Sequence, residues 1–281
     1  MSTFTGVGPA LDLDGPLPVA PKHRLLSVPR VLVEESGGRW ESGVKVDGYA
    51  PHAPSLFEPC STGTFRVKDE GETGPQPRFN PIAVYYPITC STHGKANAQV
   101  EAFIDMAELL LDVTISFGVE KALSQGVSLS SNPYLADTNL VDLANGATVS
   151  PRVGLGYLEN AIGLTARAGL IHATPAITSR WFEDPQTDVA VLRTSNGTPV
   201  ASGGGYIGAN PAGPPAGPAD HIDWAFATGP VEVRLGALER AVDREVVDRG
   251  TNVVTARAER VVLVEWDTAL QVGVRIDWSL T

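Results

Sequence analysis

Cys90 and His93 stand three residues apart and offer the types from which a thiolate nucleophile and its base are built. No third group that would orient the imidazole is visible, so a thiol at a strand end beside a loop imidazole is expected. His172, and His221 with Asp223 two residues on, supply two imidazoles and a carboxylate, a set that suits iron or zinc. They fall on unrelated elements, where packing or surface roles are expected. Ser202-Gly203-Gly204-Gly205-Tyr206 lacks the Lys and Ser/Thr of a phosphate loop and reads as a tight bend. Glu101, Asp105, Glu108 and Asp112 recur at helical spacing, a carboxylate stripe of the kind that binds divalent cations. The Glu-x-x-His pairs of diiron bundles are missing, and a solvated face, or one meeting Arg from a neighbouring chain, is the expectation. Cys60 and Cys90 can form one disulfide but not a four-ligand zinc site, and two free thiols are expected. No catalytic, cofactor-binding or metal constellation emerges, and the chain is read as neither an enzyme nor a cofactor protein.

The elements that would hold these residues follow from periodicity. Residues 1–24 carry Pro9, Pro16, Pro18 and Pro21 among Gly6, Gly8 and Gly15 with no period, and read as an extended arm. From Ser36 to Thr92, β-prone runs (Gly43 to Tyr49, Gly63 to Val67, Ile82 to Tyr86) are cut by prolines as far as Pro87. A long hairpin with a polar tip at 68–74 fits. Gln99 to Gln125 predicts a long helix: Val100, Phe103, Ile104, Ala107, Leu110, Leu111 and Ile115 mark one face, and Gly126 is its stop. Met106, Leu109, Val113 and Phe117 are apolar too, so this helix needs cover on several sides.

Ser150 and Pro151 open a second helix, Arg152 to Ala168, ended by Gly169. Leu170 to Ala173 is a buried strand, and Thr174-Pro175 starts a third helix towards Trp181 and Phe182. Val189 to Arg193 and Pro199 to Ala201 form a hairpin on an Asn196-Gly197 turn. Gly208 to Gly217 is a Pro/Gly loop. Strands follow at Ile222 to Ala227, Val231 to Leu235, Asn252 to Trp266 and Ala269 to Trp278, the last two flanking Asp267-Thr268 as an antiparallel pair would.

The 281 residues include 22 Pro and 29 Gly, and 19% are charged, which describes a loop-rich chain with a core. At this length about 75% of the unfolded surface is buried on folding, so no disulfide or metal staple is required. The net charge of -11 disfavours phosphate binding. The first residues lack a basic region followed by an apolar one, so no secretory signal is expected, and no apolar run is long enough to span a membrane. Leu25, Leu26, Trp40, Leu56 and Phe57 lie on an arm and hairpin that cannot bury them alone, and surface from other chains is expected to cover them.

Arm, hairpin, long helix, helix-strand-helix unit, Gly/Pro loop and closing strands come in an order that resembles the HK97-fold shell proteins, the major capsid proteins of tailed phages and the related encapsulins. Val100 to Glu108 and Gly118 to Gly126 are similar to the family's spine helix. Leu158 to Ile162 and Leu170 to Trp181 resemble its axial-domain helix, central strand and following helix. Asn252 to Arg260, with the apolar run to Val264, resembles its closing strands. The resemblance implies an α+β, HK97-like capsid fold over most of 30–281: an N-terminal arm at 1–35, an E-loop at 36–92, a peripheral domain at 93–150 and 239–281, and an axial domain at 151–238.

It further implies a shell of hexamers and pentamers enclosing double-stranded DNA without sequence-specific contacts, with a portal and separately encoded scaffolding or decoration proteins as partners. Such a shell is assembled in the bacterial host cytoplasm and ends in the virion. An acidic wall over which the duplex slides fits this reading. An encapsulin-type compartment is the alternative within the fold, and a Cys-His hydrolase lies further off. Some members join an E-loop Lys to a peripheral-domain Asn with a Glu as base, and Asn252 and Glu259 stand at similar positions. The E-loop lysines are Lys45 and Lys68, and Asp69, Glu70 and Glu72 after Lys68 oppose the neutral amine that attack requires. Non-covalent particles are therefore expected.

Overall fold

The computed structural model describes residues 17–34, 38–46, 77–91, 97–127, 131–182, 191–211, 221–248 and 253–280. The polar hairpin tip, most of the Pro/Gly loop, Cys60, Lys68, His93 and Asn252 lie outside them. Within them, helices and sheets are mixed. Helix α1 is Asn97–Gln125, α2 is Pro151–Leu164 and α3 is Pro175–Trp181. One sheet has four strands in the order β1 (Arg30–Val33), β11 (Val231–Asp248), β12 (Val253–Trp266) and β4 (Ile82–Ser91). A second runs β5 (Val141–Asp142), β13 (Gln271–Asp277), β10 (Ile222–Thr228), β7 (Leu170–Ala173), β9 (Pro199–Ser202) and β8 (Leu192–Arg193), with β6 (Thr148–Val149) also on β13. The short pair β2 (Val44–Lys45) and β3 (Arg78–Phe79) is antiparallel and brings together the two ends of the expected hairpin.

Helix α1 runs as its period predicts and stops at Gly126, whose φ of +76° is the left-handed conformation that closes a helix. Its Ala107, Leu111, Ile115, Val119 and Leu123 share a core with Val233, Leu235 and Val262 of the first sheet and with Leu170 and Phe226 of the second. On the other face of the second sheet, Ile171, Ala225, Val274 and Ile276 pack with Leu158 and Ile162 of α2 and Ile177 of α3. Alternation along β7 and β10 thus feeds two cores from one pair of strands. Among the described residues no helix is long and apolar enough to cross a membrane.

Several expectations are corrected. β12 and β13 do not pair: β11 and β4 already occupy both edges of β12, and β13 bonds to β10 in the other sheet. The turn at 267–269, where the Asp267 N–H reaches Pro230 O and the Ala269 N–H reaches the Asp267 carboxylate, passes the chain from one sheet to the other. Pro87 does not end its strand, because β4 is an edge and needs no donor on its free side. β11 continues to Asp248, with register shifts at 235–238 and 243–248. α2 stops at Leu164, where Thr165 turns its hydroxyl back onto Ile162 O and Ala166 takes a positive φ. Leu25 and Trp40 are buried within their own chain. Their cover comes from the first core, and Leu56 and Phe57 lie outside the described residues.

Candidate functional site

Among the described residues a buried carboxylate with four hydrogen bonds, Glu120, is one that neither charge patterning nor the motifs above single out. Glu120 sits on the buried face of α1 between Ser116 and Ser124, one turn away on either side, and its side chain is 0% exposed. An isolated carboxylate there would be prohibitively expensive, so its partners decide whether it is tolerated. Oε2 accepts from Arg24 Nη1 at 2.9 Å and from the Gly205 N–H at 3.1 Å. Oε1 accepts from the Leu25 N–H at 3.1 Å and from the Ser116 hydroxyl at 3.1 Å. Four donors fill the four lone-pair positions of the two oxygens, and this carboxylate has no acceptor left for a ligand.

The junction explains two of the three glycines, Gly203 and Gly205. A Cβ on Gly203 would fall within the Glu120 carboxyl group, and one on Gly205 would lie 2.6 Å from Phe117 O and 2.7 Å from Lys121 N. The bend predicted at 202–206 is present as a 3-10 turn at Gly204–Tyr206, but Gly203 is there to admit the Glu120 carboxylate and Gly205 to lie against the helix backbone. Ser124 donates to Gly205 O at 3.0 Å, which holds the loop from its other side. The segment before α1 is held here too: the Ser202 N–H reaches His23 O at 2.8 Å, and His23 takes a φ of +63° as the chain turns.

From this loop Tyr206 carries the network into the second sheet. Its hydroxyl lies 3.1 Å from His172 Nδ1, and His172 Nε2 lies 3.1 Å from Thr228 Oγ1. Thr228 gives its only hydroxyl hydrogen to Gly229 O at 2.9 Å, so it can only accept from the ring. This makes His172 the Nε2–H tautomer, with Nδ1 accepting from Tyr206. Burial lowers the His172 pKa to about 3, and the imidazole is neutral. Burial, and then the negative charge of Glu120, push the Tyr206 phenol well above its usual range, with Arg24 opposing.

His172, His221 and Asp223 are not brought together. Regular alternation along β10 puts Asp223 on the opposite face from Phe226, the register partner of His172. Asp223 instead accepts from Thr174 at 3.3 Å at the start of α3, and burial raises its pKa against that bond and others from Gly208 and Trp278. His221 is exposed with its ring edge-on to Trp278, 4.4 Å between centroids. The carboxylate stripe of α1 is also reassigned. Arg240 of β11 pairs with Glu108 and reaches Asp105 at 3.8 Å, and Arg260 of β12 reaches Asp112 at 4.0 Å. The arginines belong to the same chain because the long β11–β12 ribbon lies along the helix. Cys90 lies on β4 opposite Val254, and Glu259 on β12 pairs with Arg257 at 3.2 Å. Their expected partners His93, Lys68 and Asn252 lie outside the described residues.

The sequence does hold a signal for Glu120. Ser116, Glu120 and Ser124 put a polar row, four residues apart, onto the side of an otherwise apolar helix. Its complement, the glycine run, lies more than 80 residues away, and no local pattern links the two.

No protein-family model matches the chain, and no curated protein matches it by sequence. Solved structures do match in shape. One from Gordonia phage Cozz superposes with a TM-score of 0.55 at 13% identity, over 96% of this chain and 91% of that one. The capsid of an empty GTA particle gives 0.54 at 12% identity, over 96% and 95%. The structure of phage G gp27 major capsid proteins and gp26 decoration proteins gives 0.53 at 10% identity, over 99% of both chains. With so large a share of both chains covered, the chain has the fold of phage capsid proteins.

Proposed function

We propose that the chain is a major capsid protein that self-assembles into the icosahedral head shell of a tailed, double-stranded DNA phage. The observation that carries this reading is the likeness to capsid chains over nearly the full length of both partners, which leaves little of either chain for another task. The surface supports it. Met106 and Phe117 on α1, and Val153, Tyr157 and Leu164 on α2, are each at least 41% exposed in the single chain. Apolar side chains clustered on the outer faces of two helices suit contacts between copies.

In this reading the HK97-like parts are an arm at 1–35, an E-loop at 36–92, a peripheral domain on the first sheet and an axial domain on the second. The peripheral domain takes in 93–150 and 239–281 and the axial domain 151–238, and β13, within 239–281, is hydrogen-bonded to β10 of the second sheet. Copies would form hexamers and pentamers around packaged DNA, joined by a portal and by scaffolding or decoration proteins, assembled in the host cytoplasm and kept in the virion. The net charge of -11 favours a wall that does not grip the duplex. Electron microscopy of the purified protein, alone and with its genomic neighbours, tests the reading: shells or ring-shaped capsomers are expected, and a monodisperse monomer at high concentration overturns it.

A further inference from the structure

Away from the Glu120 junction, the first sheet carries a cluster whose charges do not balance. Glu232 of β11 and Glu265 of β12 are directly opposite in the antiparallel register, a placement in which like charges repel. Arg234, two residues from Glu232 and on the same face, is the central cation. Its Nη2 lies 2.6 Å from Glu232 Oε1 and 3.3 Å from Glu265 Oε1, and its Nη1 lies 2.6 Å from Glu34 Oε1, just beyond β1. From β1 itself Arg30 reaches Glu232 at 3.8 Å, but its side chain is 74% exposed and the pair is screened. The segment at 38–42 brings the backbone of Gly38 towards the Glu34 carboxylate. Three carboxylates thus share one well-placed guanidinium. Glu265 is nearly buried, and its Oε2 has no hydrogen-bond partner.

We propose that Glu232 and Glu265 share a proton, and that this proton makes the Arg234 clasp, which joins the end of β1 to β11 and β12, tighten on mild acidification. The proton comes from solvent and sits on the Glu265 carboxyl, which then donates towards Glu232. Of the three negative charges one is cancelled, Arg234 remains bonded to Glu34 and Glu232, and the orphan oxygen gains a partner. The direction of the Glu265 pKa agrees: burial raises it first, Arg234 opposes, and the charge and hydrogen bonding of Glu232 raise it further. A group whose folded value stands above its unfolded one favours the folded chain below the unfolded value, and that contribution is lost as pH rises through the folded one. The clasp is therefore weakest in alkaline solution. It fastens the strand that follows the N-terminal segment, so its strength sets how firmly that segment is tied to the body.

The test uses the full chain as wild type, Glu265→Gln and Glu232→Gln. Glutamine mimics the protonated acid, so Glu265→Gln should melt above wild type at about pH 8, and the gap should close as pH falls towards about 5. Infrared difference spectra, wild type minus Glu265→Gln, should show a protonated carboxylic acid at pH values above the ~4.3 of a free glutamate, a comparison in which the Asp223 carboxyl cancels. Glu232→Gln should lose the same band, since the shared proton needs both partners, and it carries the test if Glu265→Gln does not fold. Melting curves that run parallel at every pH, or an infrared difference spectrum in which neither substitution removes any acid band, would overturn the proposal.

Discussion

Glu120 shows how a residue that ranks among the costliest to bury becomes the point on which three segments meet. Its four donors come from the N-terminal segment (Arg24, Leu25), from α1 itself (Ser116) and from the glycine loop (Gly205), so three of the bonds tie two distant segments to the helix. The glycines that admit this carboxylate should be intolerant. Gly205→Ala must push on helix backbone, and a loss of about 2–4 kcal/mol is expected from overpacking plus broken hydrogen bonds. Gly156→Ala, on the open face of α2 where an added Cβ meets nothing within 4 Å, should gain about 0.5–1 kcal/mol from helix propensity. Chemical denaturation of the two variants beside wild type measures both. His172 makes a second prediction at this scale. Its folded pKa of about 3 is far below its unfolded value near 6.5, so the unfolded chain binds the extra proton between them. Its contribution to stability is whole above about pH 6.5 and fades as pH falls towards 3. In NMR spectra its ring signals should not titrate between about pH 5 and 8.

Among the elements, α1 and the segment leading to β1 depend on each other. A sequence argument treats 1–24 as a removable arm, yet Arg24 donates into the junction and Leu25 is fully buried beside it. Two truncations should therefore differ. Removal of 1–16 leaves every described bond of the junction in place and should leave the melting temperature unchanged. Removal of 1–24 takes the only guanidinium from a buried carboxylate, a loss on the order of 3–5 kcal/mol. Circular dichroism melts of the two truncations decide the matter: if both melt like wild type, Arg24 contributes nothing and the junction has been misread. The acidic stripe teaches the same lesson. Asp105, Glu108 and Asp112 look free on a helical wheel and are instead facing Arg240 and Arg260 of the ribbon that crosses them.

At the scale of the molecule, a chain of net charge -11 has joined two sheets through one long helix and left apolar side chains outward on α1 and α2. The second sheet is covered on both faces, by α2 and α3 on one side and by the core of α1 and Tyr206 on the other. It needs nothing further from a partner. Exposed apolar side chains that could meet other copies lie on the helix surfaces and on the first sheet, where Val33 of β1 and Tyr85 of β4 are exposed. Substitution of Leu164, 72% exposed, by Lys should leave the monomer's stability within about 0.5 kcal/mol while reducing particle yield in the same electron micrographs that test the shell.

What the sequence by itself determined is local and periodic. The turn-by-turn apolar face of α1 with its glycine stop, the buried strand at 170–173, the Pro-opened helix at 175–181 and the Asn196-Gly197 hairpin follow from residues within one or two turns of each other. The order of these parts was enough to suggest a capsid fold, because that order is read along the chain. Only the tertiary structure decided which strands share a sheet. β12 and β13 are neighbours joined by a two-residue turn signal, but strand pairing is settled by which edges are free, and both edges of β12 were taken. It alone decided the fate of Leu25 and Trp40, since burial depends on what else folds over a side chain. It also decided the worth of Glu120: a carboxylate inside a protein is tolerable or ruinous according to donors that arrive from 80 and more residues away, and no spacing along the chain records their arrival.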